Sequence, residues 1–100
     1  MQPKSYKVFW TEKALNDLEN IKIYISEDSE ARARSWIKQL FNYGEDLCLM
    51  PNRGRIVPEI NQHNLPELLI ENYRMVYRVG KDRIEIITVF ERHHRLPSKK

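Results

Sequence analysis

The chain opens on a short alternating segment and then changes to a helical period. Residues 6–10 combine β-branched and aromatic side chains, which is typical of a strand. Thr11 follows with a hydroxyl suited to an N-cap, and the acidic residue after it suits the positive end of a helix. Charged residues such as Asp17 are expected to face water. The buried face of this first helix is predicted from apolar residues that recur every three or four positions, namely Ala14, Leu18, Ile21 and Ile25.

A second amphipathic helix follows after a polar interruption. Residues 26–29 read Ser-Glu-Asp-Ser, side chains that compete for backbone hydrogen bonds, so we expect a turn with Asp28 or Ser29 as the next N-cap. Two helices joined so closely predict an antiparallel hairpin, and Pro51 is expected to end the second one. The apolar stripe of this helix consists of Ala33, Trp36, Leu40, Tyr43 and Leu47.

The second half of the chain has the period of strands. Residues 51–64 form a predicted loop of fourteen residues with two prolines, one glycine and three asparagines. Loops of this length in a small domain are often functional. Strand-like runs follow at 68–70, 73–79 and 83–91, and the last two are separated by a polar connector of hairpin length.

Alternation along these strands predicts how the sheet is oriented. In the run 73–79 the apolar side chains alternate with Arg74 and Arg78, which therefore share the other face. The element order β-α-α-β-β-β predicts an α+β fold in which the helix hairpin covers one face of a mainly antiparallel four-stranded sheet. We expect a single domain over residues 1–100, with a basic tail at 91–100. In the last strand a period of two places Ile84, Ile86, Thr88 and Phe90 on one face.

Composition and charge narrow the function classes. The chain is 41% hydrophobic and 31% charged, and no apolar run approaches the roughly 20 residues that span a bilayer. The N-terminus lacks the apolar stretch of a signal peptide, and the single Cys48 excludes an internal disulfide, so a cytoplasmic protein is expected. The net charge of +3 divides into −1 for residues 1–50 and +4 for residues 51–100. The second half therefore either faces a polyanion or carries a merely cationic tail.

Few side chains suggest catalysis. Three scattered glycines cannot form a phosphate-binding loop, and the histidines lack metal-ligand spacing, so neither a cofactor nor a metal is expected. Arginine is suited to bidentate contact with phosphate or carboxylate. The alternative for the strand arginines is pairing with carboxylates such as Glu85 or Glu71. The candidates for binding a target or nucleic acid are Arg53, Arg55, Arg78, Arg92 and Arg95.

A metal-independent ribonuclease is one possible function of the remaining polar residues. Glu59, Arg74, His93 and His94 have the side chains needed for a base, a charge stabiliser and an acid in RNA cleavage by its own 2′-hydroxyl. The alternative is that Glu59 is a solvated loop acid and that the two histidines end an exposed strand.

Several segments together resemble the RelE/ParE superfamily, the toxins of type II toxin–antitoxin modules. These are Gly-Arg-Ile-Val-Pro-Glu at 54–59, Tyr-Arg-Met-Val-Tyr-Arg-Val at 73–79, the apolar strand at 84–89 and His-His-Arg-Leu at 93–96. The predicted element order also agrees with that fold, so the resemblance covers almost the whole chain. It implies a plasmid-stabilisation type of toxin that a cognate antitoxin neutralises with a helix or extended segment. An apolar surface at Trp36 and Leu40 would suit that segment if the second helix did not pack on the sheet.

The two branches of the superfamily imply different targets. ParE-like toxins inhibit DNA gyrase, whereas RelE-like toxins cut mRNA on the ribosome, and the related YoeB-like toxins use a Glu, an Arg and a C-terminal His-Tyr. Arg74 matches the RelE strand arginine, but the RelE strand lysines fall near Leu65 and Glu67. Glu59, Arg74 and His93 fit the YoeB pattern, with His94 in place of the tyrosine. The resemblance favours a ParE-like gyrase inhibitor, with a ribosome-dependent mRNA endonuclease and a non-toxic interaction module as alternatives.

Overall fold

Two helices and a five-stranded sheet make up residues 6–56 and 65–91, the part of the chain that the computed structural model describes. The elements in chain order are β1 (Lys7–Trp10), α1 (Glu12–Ser26), α2 (Glu30–Glu45), a 3₁₀ turn (Asp46–Cys48), β2 (Arg55–Ile56), β3 (Pro66–Ile70), β4 (Tyr73–Val79) and β5 (Arg83–Glu91). The α+β class and the helix hairpin are as predicted. No helix in these two ranges is long and apolar enough to cross a membrane.

Both helices begin where side-chain caps were predicted. The Thr11 hydroxyl accepts a hydrogen bond from the N–H of Ala14 at 3.1 Å, and Ser29 caps α2 in the same way. The prediction that Pro51 ends the second helix is wrong, because α2 ends at Glu45 and continues as the 3₁₀ turn. That tighter turn places Leu47 in the core, where it is fully buried.

The sheet has the strand order β1-β5-β4-β3-β2. β1 is parallel to β5, with Lys7 opposite Arg83, and the other pairs are antiparallel. The predicted count of four strands is one too low, because β2 lies inside the segment predicted as a loop. This strand has only two residues, too few for an alternating pattern, and it pairs Arg55 with Glu67.

A bulge in β5 changes which side chains reach the core. Val76 lies opposite Thr88, whereas the next residue of β4, Tyr77, lies opposite Ile86, so β5 contributes one extra residue at this point. The predicted face containing Thr88 is therefore wrong beyond Ile86. Val89 instead lies opposite Met75 and is 2% exposed.

The helices bury their apolar stripes against one face of the sheet. The core contains Ala14, Leu18, Leu40, Leu47, Met75, Tyr77, Ile84 and Ile86. α2 approaches the sheet closely at Gly44, where an added Cβ would lie 2.5 Å from the Trp10 ring and 2.7 Å from Ile86. The Trp10 ring also stacks on Phe41 with centroids 4.9 Å apart, and its Nε1–H donates to Glu45 at 2.9 Å.

Asp17 does not face water as predicted. Its side chain is 17% exposed, and Oδ2 accepts hydrogen bonds from the Thr88 hydroxyl at 2.5 Å and from the N–H of Val89 at 3.0 Å. The Thr11 hydroxyl lies 2.9 Å from the carbonyl oxygen of Ile87. The pairing of β1 with β5 ends with Trp10 opposite Ile86. Beyond that point, the side chains of Thr11 and Asp17 form hydrogen bonds with backbone groups of β5 that β1 does not reach.

Candidate functional site

Arg74, the strand arginine of the predicted ribonuclease set, forms an ion pair with a buried acid. Its Nη1 lies 2.6 Å from Oε1 of Glu67 on the adjacent strand β3. The side chain of Glu67 is fully buried and that of Arg74 is 14% exposed. The partner is thus neither Glu85 nor Glu71. Arg74 lies opposite Leu69, one diagonal step from Glu67, and such diagonal neighbours share a face of the sheet.

Arg78 has the partner that was predicted as an alternative to target binding. Its Nε lies 3.6 Å from Oε1 of Glu85, the residue directly opposite on β5. Both side chains are solvent-accessible, so this ion pair adds little stability. It does offset the positive charge at this point of the sheet.

A buried tyrosine fixes the turn that carries the two loop arginines. The Tyr77 side chain is fully buried, and its hydroxyl donates to the Pro51 carbonyl at 2.9 Å and accepts from the Gly54 N–H at 2.8 Å. Burial raises the pKa of Tyr77 above its ordinary value of 10.0, although the Gly54 hydrogen bond and Arg53 oppose the shift. A Cβ at Gly54 would lie 2.6 Å from this hydroxyl oxygen. The alternation of β4 predicts Tyr77 on the apolar face, but no pattern in the sequence indicates this contact with the turn.

The two arginines on this turn flank a shallow recess. The Arg53 guanidinium lies over the Tyr43 ring, 5.2 Å from its centroid, and Arg55 lies opposite Glu67 at the start of β2. The recess has a volume of about 300 Å³ and is lined by Tyr43, Arg53, Arg55, Glu67, Leu68 and Leu69. Arg53 and Arg55 therefore line the same recess, as their proximity in sequence suggested.

A second recess lies between the helix hairpin and the turn that joins β3 to β4. Its aromatic wall is formed by Trp36 and Tyr73, whose ring centroids are 5.8 Å apart. Burial and the nearby Glu91 and Tyr24 raise the pKa of Tyr73, and a hydrogen bond from Trp36 opposes that shift. The recess has a volume of about 330 Å³ and is lined by Ile25, Arg32, Ser35, Trp36, Gln39, Glu71, Asn72 and Tyr73.

The two residues predicted to contact an antitoxin have different surroundings. Trp36 is half-buried and lines this recess, so part of its side chain is accessible to solvent. Leu40 is buried in the core, with 0% of its surface accessible to solvent. The assignment of Leu40 to a partner surface is therefore corrected, because the α2 stripe packs on the sheet and leaves Leu40 no accessible atom.

A family comparison identifies the protein family. The family model described as the ParE toxin of type II toxin–antitoxin system, parDE, matches residues 8–96. The chain belongs to the ParE toxin family. This membership confirms the superfamily resemblance and makes the protein a toxin of a type II toxin–antitoxin system. A search of curated proteins finds no match to this ParE-family sequence.

Solved structures share the fold of this ParE-family toxin. A chain from the chromosomal ParDE toxin–antitoxin system of P. aeruginosa superposes with a TM-score of 0.73 and 21% identity, covering 87% of this chain and 96% of that chain. A chain from the toxin–antitoxin complex RelBE2 of Mycobacterium tuberculosis superposes with a TM-score of 0.67 and 17% identity, covering 93% of this chain and 98% of that one. At these identities the likeness shows the fold.

The remaining predicted site residues of the ParE-family toxin lie outside the described ranges. These are Glu59, Arg92, His93, His94 and Arg95. Within residues 6–56 and 65–91 no group of histidine, cysteine or acidic side chains is arranged to hold a metal ion. Of the four residues predicted for RNA cleavage, the described ranges contain Arg74, which is bound to Glu67.

Proposed function

We propose that this toxin acts by binding a protein target, DNA gyrase, and not by cutting RNA. The observation that carries the proposal is the ion pair between Arg74 and Glu67, with 2.6 Å between the charged atoms. An arginine that stabilises a phosphate in a transition state must direct its guanidinium at the reacting group. Here the guanidinium is directed at a carboxylate that is fully buried, so its charge is already compensated.

The distribution of charge supports the same proposal. Arg78 on the same strand is offset by Glu85, so the two arginines of β4 contribute little net positive charge to the sheet. A toxin that works on ribosome-bound mRNA gains affinity from each phosphate it neutralises. A net charge of +3 with paired strand arginines is small for that task, whereas a protein-directed inhibitor does not need it.

Two assays on the purified chain test this proposal. In the first, the wild-type toxin is added to gyrase with relaxed plasmid, and supercoiling and gyrase-dependent DNA cleavage are scored. In the second, it is added to a translating extract, and cleavage of the message is mapped. We expect loss of supercoiling with an intact message. Message cleavage with normal supercoiling would instead favour the ribosome-dependent endonuclease, and normal growth on induced expression would favour a non-toxic interaction module.

We further propose that a cognate antitoxin neutralises the toxin at the recess beside Trp36 and Tyr73. The aromatic wall of tilted Trp36 and Tyr73 rings and Ile25 offer apolar surface, and polar side chains form the rim. This combination suits the apolar face of a helix or extended segment from a partner. The P. aeruginosa relative comes from a ParDE system, and the M. tuberculosis relative comes from a toxin–antitoxin complex, which supports such a partner here.

A bulky substitution on the rim of this recess tests the antitoxin proposal without disturbing the core. Ser35 is exposed on α2 and lines the recess, so Ser35→Arg fills it from the solvent side. We expect affinity for the antitoxin to fall about tenfold or more, and antitoxin co-expression to stop rescuing growth. Asn16→Arg on the exposed side of α1 is the matched control. Equal affinity of Ser35→Arg and Asn16→Arg would place the antitoxin elsewhere.

A further inference from the structure

The turn at residues 51–55 is held more firmly than an ordinary surface loop. The Tyr77 hydroxyl contacts it twice, at Pro51 and at Gly54, with distances of 2.9 and 2.8 Å. Gly54 also fits against the backbone of β3, since a Cβ there would lie 2.8 Å from the Glu67 carbonyl oxygen. The core of the protein thus fixes the backbone from which Arg53 and Arg55 project, and a fixed backbone lowers the entropy lost when those arginines bind a ligand.

The two arginines of this turn differ from those of β4 in having no acidic partner among the described residues. Arg74 and Arg78 each form an ion pair with a carboxylate, at 2.6 and 3.6 Å. Arg53 instead lies over the Tyr43 ring, and Arg55 extends from the two-residue strand β2. Both are exposed and flank the recess of about 300 Å³ already described. They are therefore two positive charges, carried on a fixed backbone, that are available to an anionic group.

Apolar surface lies on the other side of the same strand. Ile56 is 52% exposed and Val79 is 37% exposed. They belong to a recess of about 400 Å³ that also includes Pro51, Leu65 and Pro66. An extended ligand running along the edge strand β2 would therefore direct alternate side chains at the guanidinium groups on one face of the sheet and at the aliphatic side chains on the other.

We infer that the Arg53–Ile56 surface binds an extended segment of the target protein in which acidic residues alternate with apolar ones. This inference rests on the proposed protein target and names the part of that target that is recognised. Carboxylates match the paired guanidiniums, and aliphatic side chains match Ile56 and Val79. A nucleic acid fits less well, because a phosphate backbone needs positive charge continuing along its path. Here the next arginines along the sheet are compensated by Glu67 and Glu85.

Fluorescence anisotropy with a synthetic probe tests this surface on the full chain. The probe is a short fluorescein-labelled peptide of alternating Glu and Leu, measured at physiological ionic strength. We expect Arg53→Gln with Arg55→Gln to weaken its binding about tenfold or more, since each charged hydrogen bond lost has a cost of this order. Tyr77→Phe keeps both arginines but frees the turn, and should weaken binding by about threefold. Arg34→Gln removes one exposed positive charge on α2; it is the control for loss of surface charge away from this turn and should bind as wild type does.

Three results would overturn the inference. They are equal binding of a probe with Gln in place of Glu, equal weakening by Arg34→Gln, and displacement of the probe by a short single-stranded oligonucleotide at a lower concentration than unlabelled peptide.

The gyrase assay separates this inference from the proposed function. If the folded Arg53→Gln, Arg55→Gln variant inhibits gyrase at full strength, the inference about this surface is wrong, whereas gyrase remains the proposed target. If the wild-type chain binds the peptide but does not affect gyrase, gyrase is not the target, whereas binding of an acidic segment by the Arg53–Ile56 surface is supported.

Discussion

The Asp17 carboxylate accepts the main-chain N–H of Val89 at 3.0 Å, across 72 residues of sequence. The same oxygen accepts the Thr88 hydroxyl, so one side chain of α1 provides two hydrogen bonds to the end of β5. These two residues directly follow the bulge that brings Val89 into the core. The helix thus supports the part of β5 that β1 does not reach.

We predict that Asp17→Ala destabilises the fold. The substitution leaves the Val89 N–H without its acceptor, and a buried donor without a partner costs about 1–3 kcal/mol. Urea denaturation followed by circular dichroism measures the loss. Lys13→Ala removes the exposed ion pair between Lys13 and Asp17, at 3.2 Å, and should change the free energy of unfolding by less than about 1 kcal/mol. Equal effects of the two substitutions would show that the ion pair, and not the contact with β5, is what matters.

Gly44→Ala should also destabilise the protein, although alanine is the better helix former. The new Cβ would lie 2.5 Å from the Trp10 ring, and relieving such a contact costs about 1–3 kcal/mol, against a gain of about 1 kcal/mol in helix propensity. Thermal unfolding measures the net effect. Asn42→Ala on the exposed side of the same helix is the control and should be neutral or slightly stabilising. A Gly44→Ala variant as stable as Asn42→Ala would mean that α2 can move away from the sheet at little cost.

The Arg74–Glu67 pair predicts a non-additive pair of substitutions. Arg74→Met leaves the carboxylate of Glu67 buried without this cation, which is expected to cost about 3–5 kcal/mol. Adding Glu67→Gln removes the buried charge, so the double variant should be more stable than Arg74→Met alone. Chemical denaturation of Arg74→Met, of Glu67→Gln alone and of the double variant measures the coupling.

The same double variant separates a structural arginine from a catalytic one. Under the proposed function, the folded Glu67→Gln, Arg74→Met protein still arrests growth and inhibits gyrase. Retained folding together with complete loss of growth arrest would argue that Arg74 acts on the target directly.

Tyr77 predicts a change in stability at high pH. Because burial raises its folded-state pKa above the ordinary 10.0, the unfolded chain loses the proton first as pH rises. The stability that Tyr77 contributes is thus fully present below pH 10 and is lost as pH rises through the folded-state pKa. The difference in unfolding free energy between wild type and Tyr77→Phe should therefore shrink over the alkaline range that begins near pH 10. A difference that is constant over this range would contradict a buried neutral hydroxyl.

Local signals made much of the fold predictable from the sequence. Thr11 and Ser29 cap the helices through hydrogen bonds to residues three positions away, and that spacing is visible in the chain. The apolar period of α1 and α2 and the alternation of β4 likewise reflect single elements. The ParE-like segments then indicated the superfamily, which the family match confirms.

Features that depend on strand register were not predictable in this way. The bulge in β5 is a property of the pairing with β4, so a strict period of two misplaced Thr88. Glu67 lies near the position of a RelE strand lysine in the resemblance, but its burial beside Arg74 depends on how β3 aligns with β4. Asp17 was expected to face water because its contact, β5, comes more than sixty positions later in the chain. In each case the interaction joins elements that are distant in sequence.

The parallel pairing of β1 with β5 has a consequence for the order of events during synthesis. β1 is made first among the described strands, yet its neighbour in the sheet is the last of them, with Lys7 opposite Arg83. A nascent chain therefore holds an unpaired β1 until β5 emerges from the exit tunnel. Contacts of such long sequence separation also form slowly. The sheet is thus completed only after the last of its described strands has been made.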